Sequence, residues 1–429
     1  MTAQPATVER LDSRPLPPPP QPHPPIRFQV VRNRPLITLM LGHLTLDMYA
    51  GMLPVLYPLL QDRFDLNLKT VGFVSLAYSG AASLSQPLFG WLADRFGTRL
   101  IGLALLWTAL TYATIGFAPT FTVLILLAGL AGLGSGAYHP MGALNASAVI
   151  SDEQRNTAMS IYVVGGTLGI AIGPLLGALL FSLFGVHGTA VTILPGLGIA
   201  ILMLVQMRTI ALRVKRRSST LPVAHPPIPV GPLAAVIGLM MLRTWTMFGI
   251  QSYIPTWYKD MGYDAWFYSS LATTLLLTSA LGTVGSGNLA DRQGRRTLLI
   301  WSSVLSVPSI LLFAQFPGVP AFFTAAMIGF LFASTGPLLL VIAQQLMAGR
   351  AGMASGLILG LGFIMGAIGV PIMGAFADAH GMQNAMRAQA VIAGLSVVVA
   401  WMLPSEGKIR QVTEAASVAA GPAHSRQAA

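Results

Sequence analysis

The chain is 429 residues long, 54% hydrophobic and only 9% charged, with a formal net charge of +11. A soluble domain carries about 25% charged residues, so a water-soluble globule of this size is excluded, whereas a surface facing lipid needs no charge. There is no cysteine, which removes disulfide and thiolate–metal chemistry.

Residues 1–35 contain the run Pro17-Pro-Pro-Pro20 and no apolar core of a signal peptide, so they read as a disordered, Pro-rich cytoplasmic tail, partly polyproline II. From Leu36 onward, apolar runs of about 20 residues, the length that crosses a bilayer core, recur as far as Leu403. The predicted spans are 36–60, 70–93, 100–118, 121–148, 158–184, 188–207, 232–258, 266–290, 297–315, 319–346, 352–378 and 384–403. They divide into an N-terminal six-helix bundle over 36–207 and a C-terminal one over 232–403. The linker, 208–231, carries Lys215-Arg-Arg217 followed by Pro222, Pro226, Pro227 and Pro229, and residues 404–429 form a second tail. The expected fold class is an all-α membrane protein of twelve transmembrane helices.

The halves repeat each other. Gly90-Trp-Leu-Ala-Asp94-Arg95-Phe-Gly97-Thr-Arg99 returns 197 positions later as Gly287-Asn-Leu-Ala-Asp291-Arg292-Gln-Gly294-Arg-Arg296. The same offset carries Pro58 onto Pro255, Pro140 onto Pro337, Gly169 onto Gly366, Pro174 onto Pro371 and Gly177 onto Gly374. A duplicated, apolar, helix-rich chain is the pattern of a secondary transporter with its site between two pseudo-symmetric bundles.

Charge sets the orientation. Of the 25 Lys and Arg, 20 fall on the side that holds both termini; Arg63, Lys69, Lys259 and Arg387 fall on the other, and Arg243 lies within a span. Short basic loops stay cytoplasmic, so both termini are expected inside, and the basicity reads as topology rather than nucleic-acid binding. Tyr57, Trp257, Tyr258, Tyr263 and Trp266 are expected to form the outer headgroup belt.

The repeated decapeptide resembles the signature loop of the major facilitator superfamily, between helices 2 and 3 and again between 8 and 9. Its glycines permit close approach and a tight turn. Asp94, Asp291 and the neighbouring Arg95, Arg99, Arg292 and Arg296 are suited to latching a gate, or alternatively to fixing topology alone. In span 5, Gly165-Gly-Thr-Leu-Gly169-Ile-Ala-Ile-Gly173-Pro174-Leu-Leu-Gly177 resembles the Gly-Pro motif of that superfamily's drug/proton antiporters, and also reads as generic small-residue packing. Gly42-His43-Leu-Thr-Leu-Asp47-Met-Tyr, Tyr57-Pro58-Leu-Leu, Gln86-Pro87-Leu-Phe-Gly90 and Tyr138-His139-Pro140 together resemble the fosmidomycin-resistance branch. The resemblance implies the major facilitator fold in a bacterial inner membrane and export driven by inward proton flow.

Ionisable groups inside spans are costly and usually functional. The candidates are His43 and Asp47 on span 1, His139 on span 4 and Arg243 on span 7. Asp47 is the expected proton carrier, with His43, one turn below it, and His139 as relays or substrate contacts. Arg243, at nearly equal depth in the other half, is the expected grip on an anionic group. The alternatives are a structural Asp47–Arg243 ion pair and packing roles for the histidines. Tyr138, Gln251, Asn145 and Gln344 are weaker polar candidates, and Trp245 and Tyr49 possible aromatic walls of a substrate site. No cofactor or metal is expected: no phosphate-binding Gly-Lys-Ser/Thr loop and no His-Glu-x-x-His motif occurs, and Gly132-Leu-Gly134-Ser-Gly136 lacks the strand a dinucleotide fingerprint needs. The partners expected are a small-molecule substrate, protons and the lipid bilayer. Export by proton antiport leads. Uptake by symport or facilitation in the same fold is the alternative, and a receptor or enzyme on a borrowed scaffold is disfavoured by the missing nucleophile–base set.

Overall fold

The computed structural model describes residues 33–149, 155–210, 228–333, 335–347 and 350–411, and every regular element among them is helical. The helices are α1 (Arg34–Phe64), α2 (Leu68–Phe96), α3 (Ile101–Thr114), α4 (Phe121–Ala148), α5 (Arg155–Phe184) and α6 (Ile193–Ile210). The second half contributes α7 (Val230–Asp260), α8 (Ala265–Gln293), α9 (Arg295–Gln315), α10 (Pro320–Ala333), α11 (Thr335–Leu346), α12 (Ala351–His380) and α13 (Met382–Trp401). Span ten is shared by α10 and α11, so among the described residues these thirteen α-helices correspond to the twelve predicted spans. The expectations for the N-terminal tail up to Arg32, for most of the linker and for the tail beyond Gln411 fall outside the described residues. The predicted sixth span begins as a 3-10 segment, Gly185–Thr192, before α6 proper.

Short polar residues start these helices. Asn33, Asn67, Thr120 and Asp264 each accept a hydrogen bond from a backbone N–H in the first turn, satisfying a donor that the helix itself leaves open. Gly97 and Gly294 end α2 and α8 at φ of 83° and 87°, their N–H groups bonded to Ala93 O and Ala290 O. That backbone is strained for any residue with a Cβ. Eight stretches among the described residues are long and apolar enough to span a bilayer unaided, one of them covering both α5 and α6; α2 and α8 are not among them, and α3 is a shorter apolar helix. The lower apolarity of α2 and α8 suits their position, since both face the opposite half.

The packing follows the repeat. In the first half α1 packs on α5 and α6, α2 on α4, and α3 on α4 and α6; in the second, α7 packs on α12 and α13, α8 on α10, and α9 on α10 and α13. The halves meet through α2 with α12 and α5 with α8, two contacts exchanged by the same pseudo-twofold. This is the two-bundle architecture expected from the sequence.

Each bundle has a tail side, where the chain enters α1 and leaves α13, and a far side. Hydrogen bonds between the halves cluster on the far side. The Asp378 carboxylate of α12 accepts from the backbone N–H groups of Leu68 (2.8 Å) and Lys69 (2.9 Å) at the start of α2, where the helix dipole favours a negative charge. Tyr253 Oη of α7 reaches Leu68 O at 2.8 Å, and Lys259 Nζ meets Asp62 Oδ2 at 2.5 Å. The expected aromatic belt is corrected here. Trp266 is exposed, but Tyr57 on α1 and Trp257 and Tyr258 on α7 are buried, the two α7 rings turning inward against Phe313 and Phe267.

On the tail side the arginines of the second decapeptide tie their own half together. Arg295 donates to Glu406 Oε2 (2.6 Å) and to Gln345 Oε1 (2.8 Å), and Arg296 to Trp401 O (2.7 Å). The hydrogen bond from Arg295 holds the Glu406 carboxyl below its usual range. A carboxylate favoured in the fold contributes stability above its unfolded pKa and loses it as pH falls through the folded value. Glu406→Gln is therefore expected to lower the melting temperature in detergent at neutral pH, by roughly the 0.2–1 kcal/mol of a partly exposed pair. The gap from wild type should close as the pH is taken below about 4; a gap independent of pH would show that the tie contributes no charge-dependent stability.

Candidate functional site

Asp47 and Arg243 each lie thirteen positions from the first residue of their helices, roughly 20 Å along the axis at 1.5 Å per residue. Equal depth does not bring them together. Asp47 faces α4 and α5 within its own half. Its Oδ2 lies 3.2 Å from His43 Nε2 on the preceding turn of α1, and its Oδ1 lies 3.6 Å from His139 Nε2 on α4. Each carboxylate oxygen is thus addressed by one imidazole.

The site has a closed and an open flank. His43 is buried; its Nδ1 lies 2.9 Å from the carbonyl of Tyr162 on α5 and its ring stacks on that tyrosine at 4.3 Å. A carbonyl only accepts, so Nδ1 carries the hydrogen and Nε2 is the nitrogen turned to Asp47. His139, by contrast, has a side chain 29% exposed against 11% for Asp47, so it is the imidazole through which the carboxylate communicates with its surroundings. Ser135 Oγ stands 3.4 Å from His139 Nε2, one turn back on α4.

Glycines of α5 make this geometry possible. A Cβ added to Gly165, Gly169 or Gly173 would sit 2.4, 2.1 or 2.7 Å from the carbonyl oxygens of Met40, Leu44 and Met48. Two ladders of four-residue spacing therefore face each other, backbone to backbone, as in close membrane-helix packing. Gly166, one position around, opens on the site: its Cβ would lie 2.5 Å from His43 Nε2 and 2.6 Å from Asp47 Oδ2. Gly177 contacts Val55 and Phe181 less tightly. In α12, Gly366, the counterpart of Gly169, meets the α7 side chains Thr244 and Phe248 instead, and the nearby Gly369 meets Trp245.

The other sequence candidates lie apart from this cluster or form its backing. Arg243 is 1% exposed; it donates to Ser303 Oγ on α9 (2.9 Å) and Leu331 O on α10 (2.6 Å), and its guanidinium stacks 4.4 Å from the Phe332 ring. It binds its own bundle together. Tyr138 is buried, donating to Leu39 O behind His43, and Tyr49 is buried with its hydroxyl on Thr192 O. Asn145 accepts from Thr98 Oγ1 at 2.6 Å, pinning the loop after Gly97 to α4. Gln344 donates to Ser355 Oγ, Gln251 is half-buried on α7, and Trp245 has a buried indole N–H without a partner. Arg95 lies over the rings of Trp91 and Phe96, while Arg99, Asp291 and Arg292 are exposed. The side chain of Asp94 and the environments of Gly90's counterpart Gly287 lie outside the described side chains. Sequence reasoning missed Tyr162 and Gly166, whose contributions come from a backbone carbonyl, a stacked ring and an absent side chain.

The placement of Arg243 carries an expectation. A buried charged donor with satisfied partners leaves two acceptors and a ring uncovered when removed, at about 1–3 kcal/mol. Arg243→Gln is expected to lower the melting temperature in detergent and to weaken transport of neutral and anionic compounds alike; a selective loss of anionic ones at unchanged stability would make Arg243 a recognition residue instead.

The description "Major Facilitator Superfamily" matches residues 39–277 and again 245–427. The fosmidomycin resistance protein of Escherichia coli K12 is 29% identical over 347 residues, 79% of this chain and 85% of that protein. The uncharacterized MFS-type transporter YfnC of Bacillus subtilis 168 is 30% identical over 390 residues, 88% of this chain and 94% of its own length. A bacterial homolog of the human lysosomal transporter Spinster, solved in an inward-facing and occupied conformation, has a TM-score of 0.75 at 15% identity, covering 88% of this chain and 97% of that one. At that identity the likeness concerns the fold.

Proposed function

The chain belongs to the Major Facilitator Superfamily, and on that premise we propose that it is a proton-coupled exporter of a small anionic or amphipathic compound. The tail side faces the cytoplasm in this reading, as the distribution of Lys and Arg implies, and the protein sits in the bacterial inner membrane. The bundles over 36–207 and 232–403 rock around the mid-depth site, exposing it to each side in turn.

The observation that carries the proposal is the Asp47 carboxylate held at mid-depth between a buried and a half-open imidazole. Among the described residues Asp47 makes no ion pair with the other half, and a charge there is retained at a cost that function must justify. With the halves tied on the far side, His139 passes a proton from Asp47 to the cytoplasm while substrate enters. His43, fixed by Tyr162, keeps the carboxylate in place. After the bundles rock, Asp47 is reloaded through the same histidine from the far side and the substrate leaves.

The relative named for fosmidomycin resistance supports export over uptake. Everted vesicles with an imposed proton gradient test it. Adding a transported drug is expected to release protons from the vesicle lumen; proton movement in the same direction as the substrate would assign symport, the alternative reading. Measuring both fluxes in one preparation separates them.

A further inference from the structure

The cluster that serves the proton reading also has the geometry of a chelate. His43, Asp47 and His139 present three ligand atoms, one each, all within 4.8 Å of one another. A cation held about 2.0–2.2 Å from nitrogen and oxygen ligands in tetrahedral geometry requires those atoms roughly 3.3–3.6 Å apart. His43 Nε2 lies 3.2 Å from Asp47 Oδ2 and His139 Nε2 lies 3.6 Å from Asp47 Oδ1. A carboxylate binding through one oxygen leaves the longest edge no more than 4.8 Å, so a contraction of about 1 Å closes the three atoms on an ion.

The surroundings favour a ligand as well. Metal-bound histidines usually donate their second nitrogen to a carbonyl or carboxylate, which fixes the tautomer and aims the other nitrogen at the ion. His43 has that arrangement, with Nδ1 on Tyr162 O at 2.9 Å and the Tyr162 ring stacked behind it. Three protein ligands leave a fourth position, and the exposed side of His139, with Ser135 Oγ 3.4 Å from its Nε2, gives that position an approach. Two imidazoles and one carboxylate suit a borderline divalent ion such as zinc; magnesium and calcium prefer six or more oxygens.

We propose that His43, Asp47 and His139 form a three-ligand site for a divalent transition-metal cation of the zinc class, reached from the His139 side. The proposal rests on the ligand geometry and stands independently of proton coupling. Where both hold, cation and proton compete for the same lone pairs, and zinc is an inhibitor of transport.

The test uses the full chain, purified in detergent and stripped with a chelator, titrated with zinc alone and with magnesium alone by calorimetry. One saturable zinc equivalent is expected, with no magnesium binding at the same concentrations. Affinity should fall at least tenfold in Asp47→Asn and in His43→Gln, both leaving His23, His187, His225, His380 and His424 in place as an internal background. Zinc binding that these variants leave unchanged, or equal binding of magnesium, overturns the proposal. Should His43→Gln fail to fold, His139→Gln at the half-open edge replaces it and must show the same loss. Cobalt(II) adds a direct readout: the strong visible bands of a tetrahedral site are expected in wild type and absent from Asp47→Asn, and bands of octahedral intensity in wild type count against the site. Proton flux in metal-free vesicles is measured separately, so failure of the transport reading and failure of the metal site are distinguishable.

Discussion

Asp47→Asn is expected to abolish gradient-driven transport, by 100-fold or more, while the protein stays folded. The substitution keeps the shape of the side chain but removes the group proposed to bind and release a proton. The asparagine amide can donate to His43 Nε2, the nitrogen turned toward this position at 3.2 Å, so the local packing among α1, α4 and α5 is retained. Helical circular dichroism and melting temperature in detergent should therefore match wild type, with accumulation against a gradient lost and downhill exchange partly preserved. Active transport at wild-type rate in this variant would remove Asp47 from the mechanism, and loss of folding would make it a structural residue.

Gly166→Ala is expected to be nearly as damaging, though it adds one methyl group. The new Cβ would stand 2.5 Å from His43 Cε1 and Nε2 and 2.6 Å from Asp47 Oδ2. A flexible chain end could swing aside, but the His43 ring is held by a hydrogen bond to Tyr162 O and by stacking on the same residue. Overpacking of this kind costs about 1–3 kcal/mol, and here the strain falls on the proposed proton carrier Asp47 and on His43, which holds it. Transport should drop more than tenfold, with a smaller effect on melting. Gly80→Ala is the control: its Cβ would meet Leu76 and Ile364 at 3.5 and 3.6 Å, ordinary contact distances, and should be tolerated. Equal effects of the two substitutions would mean that Gly166 contributes only to helix packing.

The twelve passes were legible because apolar run length and the 197-residue repeat constrain each other; α2 and α8 repeat at both ends with that same offset. His43 and Asp47 were legible as a pair because four residues along a helix place two side chains on one face. His139 followed from depth. Depth alone, however, does not say which way a side chain points around its helix. That is why Arg243, level with Asp47, was expected beside a substrate and is found donating to Ser303 and Leu331. The same ambiguity hid the inward turn of Tyr57, Trp257 and Tyr258. Gly166 was overlooked because its neighbours Gly165, Gly169 and Gly173 account for the four-residue ladder, and nothing in the spacing distinguishes a glycine that clears a site from one that seats a helix. Nothing in the sequence marks Asp378, since its partner is the backbone of α2, 310 residues away.

Asp62 and Lys259, which meet across the far side, are the same position in the two copies of the repeat, 197 residues apart. Had a single gene product once paired with itself, that meeting point would have set aspartate against aspartate or lysine against lysine, and repulsion would have pried the mouth open. The attraction seen now exists only because fusion let the copies mutate separately. Divergence at one mirrored locus thus turns a repulsive meeting into an attractive one, beside the ties made by Asp378 and Tyr253.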